Sequence, residues 1–309
     1  MANKGKTVVL TDLKFENWVL GGNSRDIYDV FKNNKIRIVV DFSSTLSRIK
    51  ATFWCLVAQK LIFVNQNTFY RFWYLRSILK LIKVEINLLY THSNADLNGV
   101  EVFMLNLCKK IVVLNRKEKN FLIVSGITSP EILIQPTGVD FEKFRPDHSK
   151  INGNKILVVS AYAERKNPWL LFETFNLLSN FKFLLIGQGW DKFEMFSNMI
   201  RLDNVEYEEY DTNQYVHQIN KCSVFLSLSS QEGGPLPLLE TMACNLTPVV
   251  TPVGYAVDII ESGRNGFLLP LNPTVENIST YLEKAFLSNF DTRSSILHLT
   301  YEKYLEKFQ

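Results

Sequence analysis

Two carboxylates, Glu232 and Glu240, stand with seven residues between them in a segment suited to binding a phosphorylated ligand. Glu232 lies in a Gly-Gly-Pro loop that follows the apolar run 224–228, and Glu240 lies in the apolar stretch 236–244, which has the length of a helix. A strand, a glycine loop and a helix N-terminus can bind an anion, because the N–H groups of the first turn lack acceptors within the helix. The two acids could then hold hydroxyl groups of the molecule that carries the phosphate.

A basic loop at Arg165 and Lys166 is a second candidate. It follows a predicted strand that ends near Ser160, and it precedes a predicted helix that begins at Pro168. An ammonium group there could pair with a diphosphate and stabilise the charge that develops on a leaving group. The alternative is a lysine that is simply solvated near a helix start, and the residues alone favour that alternative.

The glycine loop itself could contact a ligand. Gly233 and Gly234 allow the backbone to approach a sugar or phosphate closely, and the amides of Gly234 and Leu236 could donate to it, whereas Pro235 has no N–H. A tight turn before a helix is the alternative. For Glu240 the alternative is a solvated helix face, but its apolar neighbours predict partial burial, where an acid needs polar partners.

The elements that position these residues alternate along the chain. Short β-branched runs are separated by stretches of helical length, which is typical of βαβ units and parallel sheets. The predicted strands are 6–10, 36–41, 61–65, 86–91, 110–114, 132–135, 155–160, 182–186, 223–228, 247–251 and 267–269. The polar stretch 146–154 is the best boundary, so we predict domains at 1–146 and 147–309. In such sheets ligands bind at the carboxyl ends of the strands.

Composition narrows the class of protein. Residues 1–150 hold 22 Lys/Arg and 13 Asp/Glu, and residues 151–309 hold 12 and 18, so a basic half precedes an acidic half. The four cysteines are scattered in apolar settings, which predicts buried thiols in a reducing cytosol and argues against a metal site. No run of residues has the length of a membrane span, and the N-terminus has no signal-peptide pattern, so we expect a cytoplasmic protein.

The second half resembles a known family through an ordered series of motifs. The motifs are KILVVSAYAERKNPWLLFETFNLL (155–178), FKFLLIGQG (181–189), EGGPLPLLETMAC (232–244) and TPVGYAVDIIESGRNGFLLP (251–270). They resemble the nucleotide-binding domain of the retaining glycosyltransferases of family 4, also called group 1, which have the GT-B architecture. An isolated Glu-x7-Glu pair is weak evidence of kinship, but the same pair inside this ordered series is strong.

The first half resembles the family more loosely but in register. The matching segments are WVLGGNSRDIYDVF (18–31), LLYTHSN (88–94) and the stretch within 111–146. The resemblance implies an α/β GT-B fold of two Rossmann-like, doubly wound parallel-sheet domains that face a central cleft. The first would bind the acceptor and the second the nucleotide sugar, and the last helix could pack back on the first domain.

The resemblance also assigns roles. Glu232 should bind hydroxyls of the transferred sugar and Glu240 the ribose hydroxyls, while His92 at a strand end should contact the donor sugar; a structural histidine is the alternative for His92. The predicted catalytic residues are His92, Lys166 and Glu232. The predicted donor-binding residues are Gly22, Arg165, Gly233, Gly234, Leu236 and Glu240. Family members often have an arginine where this chain has Ala161, and Arg165 is our candidate for the missing cation.

The expected activity is transfer of a hexosyl group, with retention, from a nucleoside-diphosphate sugar to a hydroxyl acceptor. The family context suggests surface polysaccharide or glycolipid assembly, with a lipid-linked glycan as one possible acceptor and the inner face of the cytoplasmic membrane as the place. No metal, further cofactor or nucleic-acid partner is expected. The first alternative is an inactive nucleotide-sugar-binding or partner-binding protein on the same fold, which Ala161 supports. A second alternative is a nucleotide-sugar epimerase or a phosphorylase with the same fold. The phosphorylase would need a lysine-bound pyridoxal phosphate, for which no segment is a candidate.

The segment 67–83 mixes five aromatic residues with four basic ones. As a helix it would present apolar residues broadly with basic residues at the margin, as interfacial helices do. A core helix of the first sheet whose charges reach outward is the alternative, and it is slightly favoured. A peripheral membrane contact through the basic N-terminal half therefore stays an open expectation.

Overall fold

The computed structural model describes residues 6–15, 19–31, 34–91, 96–147 and 154–308. The chain forms two compact units. The first comprises Met1–Pro136 together with Glu302–Gln309, and the second comprises Thr137–Tyr301. Each unit is built around one parallel sheet with helices packed against it. Within the described residues no helix combines the length and the apolarity that crossing a membrane requires.

The first unit has a six-stranded parallel sheet in the order β2-β1-β3-β4-β5-β6. Its strands are β1 Thr7–Asp12, β2 Lys35–Val40, β3 Lys60–Phe63, β4 Glu85–Tyr90, β5 Lys110–Val113 and β6 Glu131–Ile134. Its helices in the N-terminal part are α1 Val19–Val30, α2 Thr45–Val57, α3 Gln66–Tyr70, α4 Arg76–Ile82, α5 Gly99–Leu105 and α6 Arg116–Val124. In β1, β3, β4 and β5 every side chain after the first is buried, which is why these strands read as largely apolar runs.

The second unit has a six-stranded parallel sheet in the order β12-β11-β10-β7-β8-β9. Its strands are β7 Lys155–Val159, β8 Lys182–Ile186, β9 Val205–Glu208, β10 Val224–Ser227, β11 Thr247–Val250 and β12 Phe267–Leu268. The remaining helices are α7 Pro168–Leu177, α8 Phe196–Met199, α9 Tyr215–Ile219, α10 Leu236–Ala243, α11 Ala256–Ile259, α12 Val275–Leu287, α13 Thr292–Ile296 and α14 Tyr301–Glu306. The doubly wound α/β prediction is thereby confirmed, and β9 is a strand that the sequence reasoning missed.

The division between the units lies ten residues before the predicted boundary at 146/147. Residues 137–146 group with the second unit because their contacts are there: Val139 bridges Thr300, and the Phe144 ring packs on Tyr215 with centroids 6.1 Å apart. At the other end of the chain, residues 302–309 group with the first unit, where Lys110 Nζ donates to the carbonyl of Lys307.

The segment 67–83 is not the single helix that the sequence pattern suggested. It forms the end of α3, a 3-10 turn at Trp73–Leu75, and α4. Phe69 and Phe72 both enter the core, where their rings lie 4.8 and 5.7 Å from the ring of Phe63. The neighbouring Trp73 stays half exposed.

The four cysteines are all buried and unpaired, as predicted. Burial raises the pKa of each thiol, most clearly for the fully buried Cys108. They act as small apolar side chains of the two cores.

Candidate functional site

The predicted basic loop and the predicted glycine loop meet at one place in the second unit. The chain runs from β7 outward toward β8 and β9, and it later returns to place β10 on the other side of β7. The loops after β7 and β10 therefore leave neighbouring strands in opposite directions. In open α/β sheets this switch point, at the carboxyl ends of the strands, forms a natural crevice for a ligand.

The loop after β7 is held in place by its backbone. A 3-10 turn, Glu164–Lys166, leads to Asn167, which adopts the left-handed conformation at φ 52° and ψ 58°. Asparagine tolerates that conformation better than most residues, and Pro168 then begins α7 as predicted. The Asn167 Nδ2 group donates to the carbonyl of Leu228 at 2.6 Å, and the amide of Ser230 donates to the carbonyl of Arg165 at 2.8 Å. These bonds tie the two loops together.

An ion cluster stands where the loops meet. Lys166 Nζ lies 2.5 Å and Arg165 Nη1 lies 2.7 Å from the same oxygen, Oε1 of Glu232. Arg165 also donates to the carbonyl of Gln231 at 3.1 Å. The side chains of Lys166 and Glu232 are 15% and 10% exposed, whereas that of Arg165 is 47% exposed. Two cations thus share one carboxylate in a mostly desolvated position.

Burial is the main influence on the pKa of Lys166. It lowers the pKa of the ammonium group below the usual value for lysine, and the neighbouring Arg165 acts in the same direction, while Glu232 partly opposes both. Because the surroundings are poor in water, the charge that remains interacts strongly with any anion placed beside it.

The glycine loop is shaped by a second close contact. Gly254, in the loop after β11, has φ +58°, and a Cβ at this position would lie 2.8 Å from the carbonyl oxygen of Gly233. The loop that carries Glu232 therefore rests directly on the backbone of Gly254. At the start of α10, Pro235 has no N–H and the amide of Leu238 donates back to Pro235. Gly234 and Leu236 come before Leu238 in the chain, and their amides take no part in that hydrogen bond.

Glu240 lies on α10 and has a partner of its own. The hydroxyl of Tyr215, on α9, donates to Glu240 Oε2 at 2.9 Å. The residue keeps some solvent access, but its carboxyl group is packed closely by protein, and burial raises its pKa to about 7 although Tyr215 and Lys143 act in the opposite direction. The fully buried Tyr255, whose hydroxyl lies 3.3 Å from Thr137 Oγ1, is within electrostatic reach of both Glu240 and Glu232.

The raised pKa of Glu240 predicts a specific pH dependence of stability. The folded protein holds this proton up to about pH 7, whereas the unfolded chain releases it near the ordinary value of 4.5. The free energy of unfolding should therefore fall as pH rises between these values, by about 2–3 kcal/mol from this group. Glu240→Gln should remove that fall and be more stable than the parent at pH 8.

Urea unfolding of both proteins at pH 5 and pH 8 measures the effect. Glu206→Gln, which neutralises an exposed acid of the same unit, is the matched control and should leave the difference between the two pH values nearly unchanged. If Glu240→Gln loses as much stability between pH 5 and pH 8 as the parent does, Glu240 is not the cause of the pH dependence.

The predicted site residues fall into three groups. Arg165, Lys166, Glu232, Gly233, Gly234 and Leu236 come together at the switch point, and Glu240 stands further along the helix that the last of these begins. Gly22 lies in the first unit, inside α1, which begins at Val19. His92 lies outside the described residues. The predicted roles of these residues stay predictions.

Sequence reasoning missed several supporting residues. Asn167 could have been noticed, because an Asn-Pro pair at a helix start is a known signal for a turn. No local sequence pattern indicates that Gly254 packs against the backbone of Gly233, because this contact joins the loops that follow two different strands. Tyr215 likewise reaches Glu240 from another helix.

Comparison with known proteins is consistent with this geometry. The sequence model of the family described as "Glycosyl transferases group 1" matches residues 140–297. The chain is 25% identical over 194 residues to an Escherichia coli enzyme named UDP-Gal:alpha-D-GlcNAc-diphosphoundecaprenol alpha-1,3-galactosyltransferase, covering 56% of this chain and 50% of that one. It spans about half the length, or less, of the curated relatives it matches.

Two solved structures show the same fold. The structure of Anabaena HepE in complex with UDP has a TM-score of 0.76 at 13% identity, and it covers 98% of this chain and 96% of its own. The lipopolysaccharide outer core galactosyltransferase WaaB, in its apo form, has a TM-score of 0.74 at 15% identity and covers 98% of both chains. At such identities the likeness concerns the fold, which is GT-B with two Rossmann-like sheets.

Proposed function

The chain belongs to the glycosyl transferases of group 1, and on that premise we propose that it is a retaining enzyme of the family 4 type. It transfers a hexosyl group from a nucleoside-diphosphate sugar to a hydroxyl acceptor. The observation that carries the proposal is the convergence of Arg165 and Lys166 on Glu232 at the switch point of the second sheet. A cation pair and a carboxylate together match a ligand that has a diphosphate next to sugar hydroxyls.

Arg165 and Lys166 stabilise the leaving group. Breaking the bond between the anomeric carbon and the diphosphate leaves negative charge on the phosphate oxygens. The mostly buried Lys166 and the half-exposed Arg165 stabilise that charge. Arg165 takes the place of the arginine that relatives have at the position of Ala161. With these cations and the amides of Gly234 and Leu236 beside the diphosphate, the proposed reaction needs no divalent ion.

Glu232 and Glu240 bind the hydroxyls of the donor. Glu232 accepts hydrogen bonds from the transferred sugar, and Glu240 accepts them from the ribose, with Tyr215 orienting its carboxyl group. The bond to the acceptor oxygen forms on the face of the sugar from which the diphosphate departs, and the departing phosphate takes the acceptor proton. No protein general base is then required, and catalysis consists of positioning and electrostatic stabilisation.

The acceptor is proposed to be a glycan, lipid-linked or otherwise, in the assembly of a surface polysaccharide or glycolipid on the cytoplasmic side of the membrane. The support is the Escherichia coli relative, whose name specifies a diphosphoundecaprenol-linked acceptor. The roles that the family resemblance gives to His92, in contacting the donor sugar, and to Gly22, in donor binding, are part of this proposal.

A screen of nucleotide sugars tests the proposal. The protein is titrated with UDP-, GDP- and ADP-sugars while its thermal unfolding is followed, and the donor that stabilises it most is then assayed for hydrolysis and for transfer. We expect one nucleotide class to raise the Tm and to turn over. No stabilisation by any of the donors would overturn the proposal, and binding without hydrolysis or transfer would identify an inactive binding protein.

Arg165→Ala tests the origin of the second cation. The substitution removes one charge-assisted hydrogen bond at a half-exposed position, so donor affinity should fall about tenfold. Isothermal titration with the donor found in the screen measures the change. Arg264→Ala is the matched control, since Arg264 also pairs with a glutamate, Glu261, but on the exposed surface. Equal donor affinity in the parent and in Arg165→Ala would exclude Arg165 from the diphosphate site.

A further inference from the structure

We propose that the exposed side of α2, the turn Trp73–Leu75 and α4, hereafter the α2–α4 face, docks on the surface of an anionic lipid bilayer. The proposal concerns the first unit alone and does not depend on the proposed function. It rests on the apolar side chains that this face presents, on the position of both helices on one side of the sheet, and on the sign of the charges around them.

Helix α2 presents an apolar stripe to solvent. Leu46, Ile49 and Phe53 are 77%, 60% and 56% exposed, and their spacing places them along one side of the helix. The opposite side holds Ala51 and Cys55, which are fully buried. The helix therefore has an apolar side in the core and a second apolar side in water, which an ordinary surface helix does not have.

The turn and α4 continue this surface. Trp73, Ile78 and Leu81 are 52%, 43% and 80% exposed. The hydroxyl groups of Tyr74 and Thr52 lie 2.8 Å apart and join the turn to α2. Large contiguous apolar areas are uncommon on free monomers and mark contact surfaces.

Both helices lie on the same side of the sheet. The chain crosses from β2 to β3 through α2 and from β3 to β4 through α4, and both connections advance in the same direction across the sheet. Right-handed crossovers in the same direction put their helices on one face. Accordingly, the buried sides of the two helices, represented by Cys55 and Leu79, share one core cluster.

The charged side chains of α2 and α4 are all basic, whereas two further cations of the segment, Lys60 and Arg71, pair with Glu85 and Asp12. Between Asp41 and Glu85 the sequence contains seven lysines and arginines and no acidic residue. Lys50 and Lys80 are exposed on α2 and α4 themselves. The Arg76 guanidinium lies 5.2 Å from the ring centre of Trp73, so a cation and an indole ring stand together. Indole rings favour the interface between lipid and water, and lysines beside them can reach the head groups.

This combination favours a bilayer over a second copy of the chain. A twofold contact through the α2–α4 face would bring its own cations together without an acid between them, and like charges in contact are costly. An anionic bilayer offers acyl chains to the apolar side chains and negative head groups to the lysines and arginines around them.

Vesicle sedimentation tests the proposal. The full chain is mixed with vesicles of phosphatidylglycerol and phosphatidylcholine, or of phosphatidylcholine alone, and the bound fraction is measured. We expect binding to the anionic vesicles that weakens with salt. Lys50→Gln with Lys80→Gln should weaken it about 30-fold, from the usual contribution of two cations near such a surface. Phe53→Ser with Leu81→Ser should weaken it about tenfold or more.

Matched controls distinguish docking through the α2–α4 face from nonspecific binding to vesicles and from loss of folding. Leu271→Ser with Leu287→Ser changes two side chains of the second unit that are 57% and 88% exposed, and it should bind vesicles as the parent does. Every variant should keep the parent Tm, since all six positions are exposed. Three results would overturn the proposal: no binding to anionic vesicles, equal binding to neutral ones, or equal losses in the control variant. A dimer that Leu81→Ser dissociates, seen by sedimentation velocity, would assign the face to self-association instead.

Discussion

Replacing Lys166 with alanine is expected to lower kcat for sugar transfer by about 10²–10³-fold. The side chain is mostly buried beside Glu232, so in the proposed reaction its charge would act on the departing diphosphate with little screening. Arg165 stays in place in this variant, but its guanidinium is half exposed and compensates only in part. Steady-state kinetics with the donor identified by the nucleotide-sugar screen measure the change, and calorimetry reports donor affinity separately.

The control for this variant is Lys155→Ala. Lys155 starts the same strand, β7, and also pairs with a glutamate, since its Nζ lies 2.7 Å from Glu206 Oε1, but it stands at the amino end of the strand. Its loss should leave kcat unchanged and cost at most about 1 kcal/mol of stability, as for other exposed ion pairs. Lys166→Arg, which keeps the charge, should retain more activity than Lys166→Ala. If Lys166→Ala and Lys155→Ala turn over at the same rate, the assignment of Lys166 to the reaction is wrong.

Gly187→Ala is expected to destabilise the second unit by about 3 kcal/mol. A Cβ at this position would lie 1.8 Å from the carbonyl oxygen of Ser160, which is backbone and cannot turn aside. That oxygen also accepts a hydrogen bond from Trp190 Nε1 at 2.8 Å, so displacing it costs a second interaction. Because Ser160 begins the loop that leads to Arg165 and Lys166, donor affinity should fall together with stability.

Gly99→Ala is the control for the glycine substitution. Gly99 begins α5, and no atom lies within 4 Å of the Cβ that alanine would add. Alanine is the better helix former, so this variant should match or exceed the parent in stability. Urea unfolding of the three proteins gives the comparison. A Gly187→Ala variant as stable as Gly99→Ala would show that the ends of β7 and β8 can separate without cost.

The sequence predicted the sheets well because their strands are buried on both faces. Such strands are short continuous apolar runs, and the run 182–186 was predicted with the bounds that β8 has. Strand β9 was missed because Val205–Glu208 alternates apolar and acidic residues, and it lies at the edge of the sheet. The two compact units divide at 136/137, before the polar stretch that composition marks, because residues 137–146 pack on the second unit.

The candidate site was predictable in its residue types but not in its contacts. The order of motifs indicated Lys166, Glu232 and Glu240, and two of these meet in the structure as the spacing of strands and loops requires. Nothing local to the sequence shows that Arg165 and Lys166 share a single oxygen of Glu232, or that Tyr215 donates to Glu240. These are long-range contacts, and they depend on the strand order that brings β10 beside β7.

The shared oxygen of Glu232 makes this carboxylate an internal competitor of the ligand. An anion that approaches Arg165 and Lys166 must displace Glu232 from both cations, so a simple phosphate gains little. In the proposed reaction, a nucleoside-diphosphate sugar would give the displaced carboxylate new hydrogen-bond donors in its sugar hydroxyls. After transfer the remaining nucleoside diphosphate no longer offers them, and Glu232 can return to the cations. On the proposed function, the ion cluster would therefore favour binding of the intact donor and release of the nucleoside diphosphate.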